Sequence, residues 1–472
     1  MHRADVRAAL AVVGLAVAGA LLRLPFLGVP LDADEGGYAY LAQRWAAGGR
    51  LYGDVWVDRP QGLMLVYRAV VAVSTWPGAI RVAAMLAGVA VTVAVAGAAW
   101  AMRGRAAGVV AAGLAAAVLV APRLQGFLLN GELVAAAFAA PAVALALAWR
   151  ARGSRSWWLL ALAGAFGGTA MLMKQSGFDG LVVVAVVAAA SGPGRRWRAL
   201  RVAGVGAAVP LGAALLDAAL TSWSLWWSAV VGYRLSAGDT GSVLTRVGRL
   251  GGSLLTDGPW LVPLAVVAAW GGVVCWRRRE VVPLVWLGAA AVGFLGGQFF
   301  FPHYYVQLLP PLVLLATLGV VALSPSRVRA AVAVVVVPSL VTVLAIALLT
   351  PDHRDRFAMP DDRLLANRQI APWLRDHAAP SDRVYAFVSS ADVYYLSGRD
   401  TDYRYLWRAN IETIPGEVAR LRAWLGSADA PQWVVVYQQP DDIDPSGGIA
   451  ALLADRYQPG ARIDGIPVLR LR

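Results

Sequence analysis

LDADEGGYAYLAQRWAAGGRLYGDVWVDRPQGLMLVYR, residues 31–68, follows the first apolar run and is unlike an ordinary short connection between membrane helices. It opens with three carboxylates, Asp32, Asp34 and Glu35. From about Glu35 to Ala47, Tyr38, Leu41 and Trp45 recur at helical spacing, which predicts an amphipathic helix. Carboxylates at its start also suit a helix N-terminus, with Asp32 as the cap. The stretch closes on Asp58-Arg59-Pro60 and runs into an apolar segment, 63–76, that carries Arg68. That segment is too short to cross a hydrocarbon core of about 30 Å as a helix. A crossing here would reverse the side of every later loop.

Six basic clusters decide the matter: Arg3/Arg7, Arg103/Arg105, Arg150/Arg152/Arg155, Arg195/Arg196/Arg198/Arg201, Arg277/Arg278/Arg279 and Arg327/Arg329. With 63–76 lying at the interface, all six fall on one side, the cytoplasm. With it crossing, the first cluster opposes the other five. Eleven spans follow, at about 8–27, 79–102, 106–121, 133–149, 157–173, 178–192, 202–220, 258–275, 281–299, 304–323 and 329–349. Segments 28–78, 122–132, 174–177, 221–257, 300–303 and everything after about 350 are left outside.

Composition agrees with this threading. Of 472 residues, 58% are hydrophobic and 15% charged, and the mean hydropathy is +0.59. A soluble core cannot hide so many helices that are apolar all round. The net charge of +13 does not indicate a nucleic-acid partner, because its arginines sit between spans, as the positive-inside rule requires. Lysine occurs once, at Lys174, and cysteine once, at Cys275, so no intrachain disulfide forms. Residues 8–27 lack a small-residue cleavage site and are expected to remain as the first span. Asp179 and Asp217, costly in lipid, are expected to face the protein interior. Trp223, Trp226 and Trp227 read as an aromatic belt.

The fold class expected is a polytopic α-helical membrane protein, residues 1–350, followed by a small extracytoplasmic α/β domain, residues 351–472. In the latter, 361–377 has helical spacing, 383–388, 432–437 and 466–470 read as strands, and 415–426 and 447–457 read as helices. No Gly-rich phosphate loop or metal-ligand spacing occurs there, which favours an accessory or acceptor-contacting role.

Asp34-Glu35 with Tyr38, followed by Asp58-Arg59-Pro60, resembles the GT-C superfamily of integral-membrane glycosyltransferases. The chain is most similar to the branch of protein O-mannosyltransferases and aminoarabinose lipid A transferases. Asn130-Gly131-Glu132, Lys174-Gln175-Ser176-Gly177, Pro302-His303-Tyr304-Tyr305 and Pro310-Pro311 extend the resemblance over the membrane portion. The resemblance implies sugar transfer, hexosyl or pentosyl, from a polyprenyl-phosphate donor to an acceptor hydroxyl, with inversion. The acceptor would be an envelope glycan, a lipid or a protein, with the site on the outer face of a bacterial plasma membrane. By position, Asp34 matches the catalytic carboxylate, Glu35 follows it, and Glu132 matches the second acidic position. Arg59 matches a basic residue facing the donor phosphate, where the aminoarabinose branch tends to carry lysine. Lys174 and His303 fall where phosphate contacts are expected, and Tyr38, Asp58, Gln175 and Tyr304 where substrate contacts are. A divalent ion held by Asp34 and Glu132 stays open.

These residue types suit the chemistry. A partly desolvated carboxylate has its pKa raised toward usefulness as a base. Arginine stays protonated and makes paired, charge-assisted bonds to a departing phosphate. A donor carried by a lipid also removes the need for a nucleotide-binding fold. The alternative is a transporter or flippase of polyprenyl-linked glycans. It predicts polar residues at mid-membrane and an internal repeat, whereas here the polar residues gather at one face. A third reading, an envelope scaffold, would place all function in residues 355–472.

Overall fold

The computed structural model describes residues 3–237, 242–297 and 299–472. Residues 238–241 of the expected outer segment 221–257 and residue 298 of the expected span 281–299 lie outside the described residues. Among the described residues seven helices are long and apolar enough to cross a membrane: Arg3–Phe26, Gly78–Arg103, Gly131–Ala151, Arg196–Thr221, Gly258–Arg277, Pro302–Val320 and Pro325–Ala347. The other four expected spans are shorter apolar helices, Arg105–Val118, Trp157–Met173, Asp179–Ala189 and Val281–Leu295. The Asp179–Ala189 helix has 11 residues, a rise of about 16 Å, so the expected span 178–192 is only partly helical.

Small residues let these helices pack backbone to backbone, as membrane helices do when no hydrophobic force drives them together. A Cβ on Gly164 would lie 2.0 Å from the Ala203 carbonyl oxygen, and one on Gly206 would lie 2.0 Å from that of Ala161. Those two contacts lock Trp157–Met173 against Arg196–Thr221. Gly271 meets the Leu315 carbonyl in the same way, at 1.8 Å.

Asp179 is buried, with its Oδ2 accepting from the Trp286 indole at 2.7 Å. Asp217, expected to face inward, is exposed. It lies in the last turns of its helix, where its Oδ2 accepts from Gln61 Nε2 at 3.3 Å.

The segment after the first span forms two helices, Ala33–Ala46 and Gln61–Val73. Asp32 caps the first in a full capping box: its Oδ1 accepts from the Asp34 amide at 2.8 Å, and Glu35 Oε2 accepts from the Asp32 amide at 3.1 Å. The expected amphipathic helix is instead buried all round, from Glu35 through Ala42. Its far face is covered by the C-terminal domain.

That domain holds a four-stranded sheet of β1 (Val384–Phe387), β2 (Trp433–Val436), β3 (Tyr457–Ile463) and β4 (Ile466–Leu471), in the order β1-β2-β4-β3. β1 and β2 are parallel and the other pairs antiparallel. The helix Asp362–His377 starts from an Asp361 cap. β3 was not foreseen, because Pro459 and Gly460 interrupt it. It is an edge strand with a register shift at Pro459/Ala461, where proline is tolerated. Asp464-Gly465, both at positive φ, make its hairpin turn.

Candidate active site

Asp34 stands in the first turn of the Ala33–Ala46 helix, and its Oδ2 accepts from the Tyr38 hydroxyl one turn later, at 3.2 Å. Burial holds the Tyr38 pKa well above that of an ordinary phenol, so this hydroxyl stays a donor. Among the described residues no hydrogen bond reaches Asp34 Oδ1.

Glu35 points the other way and is 1% exposed. Its Oε1 accepts from the Leu129 amide at 2.8 Å, and its Oε2 meets Arg81 Nη2 at 3.0 Å. Burial pushes this carboxyl up, while Arg81 and the two amides pull it back. Arg81 also donates to the Pro30 carbonyl at 2.8 Å and lies over the Phe127 ring. Glu35 therefore ties the start of its helix to the 122–132 connection and to the second span. Reading the sequence missed Arg81, whose position inside an apolar helix was the available signal.

Arg59 faces Asp34 across Tyr38, its guanidinium 6.0 Å from the Tyr38 ring centre. It pairs with Asp58 Oδ2 at 2.7 Å, and Arg234 contacts the same oxygen. Burial works against the Arg59 cation, but Asp58, Tyr38 and Asp34 together outweigh it and hold its pKa above the ordinary arginine value. The backbone here is held from several sides. Tyr52 donates to the Arg59 carbonyl at 3.0 Å, and Gln175 Nε2 donates to the Asp58 carbonyl at 2.7 Å. Gln61 accepts from the Trp226 indole at 3.0 Å and donates to the Ala214 carbonyl at 2.7 Å. Trp226, expected in an aromatic belt, thus helps to fix this loop.

Glu132 follows Asn130, which caps the Gly131–Ala151 helix. It is 3% exposed and forms a close ion pair with Lys174, which ends the Trp157–Met173 helix. Lys174 Nζ lies 4.1 Å from the centre of the Tyr304 ring. Burial pushes the Lys174 amine below its ordinary value, with Glu132 pulling the other way. His303 Nε2 is 4.0 Å from Glu132, and its Nδ1 is 3.0 Å from Gln125 Oε1.

Asp34, Arg59, Glu132, Lys174, His303 and Tyr304 lie within electrostatic reach of one another. One cluster thus gathers side chains from four stretches of chain: 34–59, 132, 174 and 303–304. A cation bridging Asp34 and Glu132 would have to displace Lys174. Among the described residues no group of three or more His, Cys, Asp or Glu is placed to hold a metal.

No family model matches the sequence, and no curated protein matches it. Solved structures do. ArnT from Cupriavidus metallidurans, bound to undecaprenyl phosphate, superposes with a TM-score of 0.70 at 17% identity, covering 97% of each chain. Its apo state gives the same TM-score and coverage at 16% identity. The oligosaccharyltransferase AglB of Archaeoglobus fulgidus, in complex with an inhibitory peptide and a dolichol-phosphate, superposes at 0.54 and 13% identity. There 93% of this chain and 71% of AglB are covered. The chain thus shares the fold of ArnT and, at the lower TM-score, that of AglB. Within that architecture the likeness to ArnT extends over both the membrane helices and the C-terminal sheet domain.

Proposed function

We propose that this protein transfers a sugar from a polyprenyl-phosphate donor to an acceptor hydroxyl at the outer surface of a bacterial plasma membrane, inverting the anomeric carbon. The observation that carries this reading is the proximity of Asp34, with one oxygen unengaged among the described residues, to the cations Arg59 and Lys174. The acceptor oxygen attacks the anomeric carbon while its proton passes to Asp34. The bond from that carbon to the phosphate oxygen breaks, and its electron pair leaves with the phosphate. Arg59 neutralises the leaving group, and Lys174 adds a second cation steadied by Glu132. Tyr38 fixes the Asp34 rotamer. Glu35, with both oxygens committed to Leu129, Asp32 and Arg81, supports the helix and does not react.

The lipid carriers bound to ArnT and AglB, undecaprenyl phosphate and dolichol-phosphate, are polyprenyl phosphates and support this donor class. The arginine clusters support an outward-facing site. A hexose or a pentose fits the chemistry equally, and a glycan, lipid or protein hydroxyl fits the acceptor position.

Mass spectrometry of the lipid retained by the purified protein identifies the donor, and transfer from it is then assayed in proteoliposomes. Asp34→Asn is expected to slow transfer by about 10²–10⁴-fold, with the melting temperature unchanged. Full activity in that variant overturns the assignment.

A further inference from the structure

The C-terminal domain meets the site at a seam that neither its composition nor the resemblance foreshadowed. A Cβ on Gly36 would lie 2.4 Å from both Cα and Cβ of Asp392. One on Gly37 would lie 2.7 Å from the Trp407 ring and 2.9 Å from Ala391 Cβ. Two adjacent glycines, immediately after Asp34-Glu35, thus admit the domain to backbone contact. The Trp407 ring centre is also 5.6 Å from that of Tyr38, the residue whose hydroxyl holds Asp34. Further along the same helix, Tyr40 stacks on Tyr394 at 5.0 Å and accepts from the Thr401 amide at 3.0 Å.

The domain adopts an unfavourable backbone to present this surface. Val388, Ser389 and Ser390, between β1 and Asp392, have φ of 49°, 146° and 60°. Three successive non-glycine residues at positive φ persist only where the surroundings hold them. Polar groups at the seam are left without partners among the described residues: Ser390 Oγ, Asp392 Oδ1 and Trp407 Nε1 are all buried. Ser390 is 1% exposed and Asp392 0%. Asp392 is anchored from behind, its Oδ2 accepting from Asn367 Nδ2 at 2.7 Å, and Asn367 in turn accepts from Tyr437. Strain and unsatisfied polar groups of this kind gather where geometry matters to function.

We propose that Asp392 and Trp407 of the C-terminal domain are positioning residues for Asp34, acting through Gly36 and Tyr38. Asp392 sets where the first turn of the Ala33–Ala46 helix lies, and Trp407 sets the plane of the Tyr38 ring. The domain is therefore a working part of the site. This deepens the functional reading above and rests on it for its meaning, but its geometry is measurable without turnover.

The test uses the full chain in lipid nanodiscs, with a water-soluble carbodiimide and glycine ethyl ester as the probe, read by peptide mass spectrometry. Asp34 is the reporter, and Asp58, in the same cluster but held by other elements, is the internal reference. Asp392→Ala and Trp407→Ala are expected to raise the Asp34 labelling rate severalfold with Asp58 unchanged. Asp392→Asn keeps an acceptor for Asn367 and is expected to label as the parent does. Trp407→Phe keeps a ring but loses the indole atoms that meet Gly37, so its labelling is expected to fall between the parent and Trp407→Ala. Gly36→Ala disturbs the seam from the other side and serves if Asp392→Ala does not fold. Unchanged Asp34 labelling in Asp392→Ala, Trp407→Ala and Gly36→Ala overturns the proposal, as does an equal rise at Asp34 and Asp58, which marks general loosening. An active Asp34→Asn protein would instead remove the functional reading while leaving these labelling outcomes intact.

Discussion

Arginine serves two purposes in this chain, and the contrast shows where to look for chemistry. In the six clusters between spans it is abundant and mostly exposed, as at Arg152, Arg196, Arg278 and Arg329. In and around the 28–78 segment Arg50 is exposed, but Arg59 and Arg81 are enclosed. Arg81 is 2% exposed and paired with Glu35, and Arg59 is half-buried against Asp58 and Tyr38. An exposed arginine beside lipid headgroups contributes a topological signal through its charge alone. An enclosed one must have partners, because an unpaired buried charge is unaffordable. Those partners here are Glu35 and Asp58, the carboxylates that hold the backbone around Asp34 and Arg59.

Variants at three places put pressure on that contrast. Arg81→Ala leaves Glu35 buried without its cation and is expected to destabilise the protein by about 3–5 kcal/mol, read as a lowered melting temperature in detergent. A melting temperature equal to the parent's would mean that enclosure does not distinguish this arginine from the cluster residues. Arg59→Ala should slow transfer by about 10²–10³-fold with little change in melting. Arg59→Lys should recover much of the loss, since it keeps the charge without the fork. Comparable rates for the alanine and lysine variants would show that charge at this position is unimportant. The triple change of Arg277, Arg278 and Arg279 to Gln should alter the transfer rate of correctly inserted protein by less than about twofold, as surface substitutions generally do. A larger effect would tie that face to catalysis.

Much of this was legible from residue type and spacing. The apolar runs gave the helices, and the motifs singled out Asp34, Arg59, Glu132, Lys174 and His303, which the fold brings near one another. Asp58 and Arg59 are adjacent in sequence and remain so in space, so a local motif sufficed to find them. Glu132 and Lys174 are 42 positions apart, and their pairing depends on how two helices pack, which periodicity does not report. Arg234 was invisible as a site residue because it sits in a long loop with no pattern around it, yet it reaches Asp58. The Ala33–Ala46 helix shows most clearly what was missed. Its polar face looked solvated because alternation of character says nothing about a separate domain folding down upon it. Gly36-Gly37 was the available signal, since paired glycines cost helix stability and call for a reason.

The seam at those glycines has a consequence for how the protein is made. Arg44 donates to the Thr401 carbonyl across 357 positions of chain. The helix that carries Asp34 is therefore synthesised well before its cover. While the intervening spans are made and inserted, the helix must wait uncovered beside lipid. A nascent chain or one truncated before the cover would thus hold every residue of the cluster and still lack the surface that closes over them, so competence arrives only with that surface.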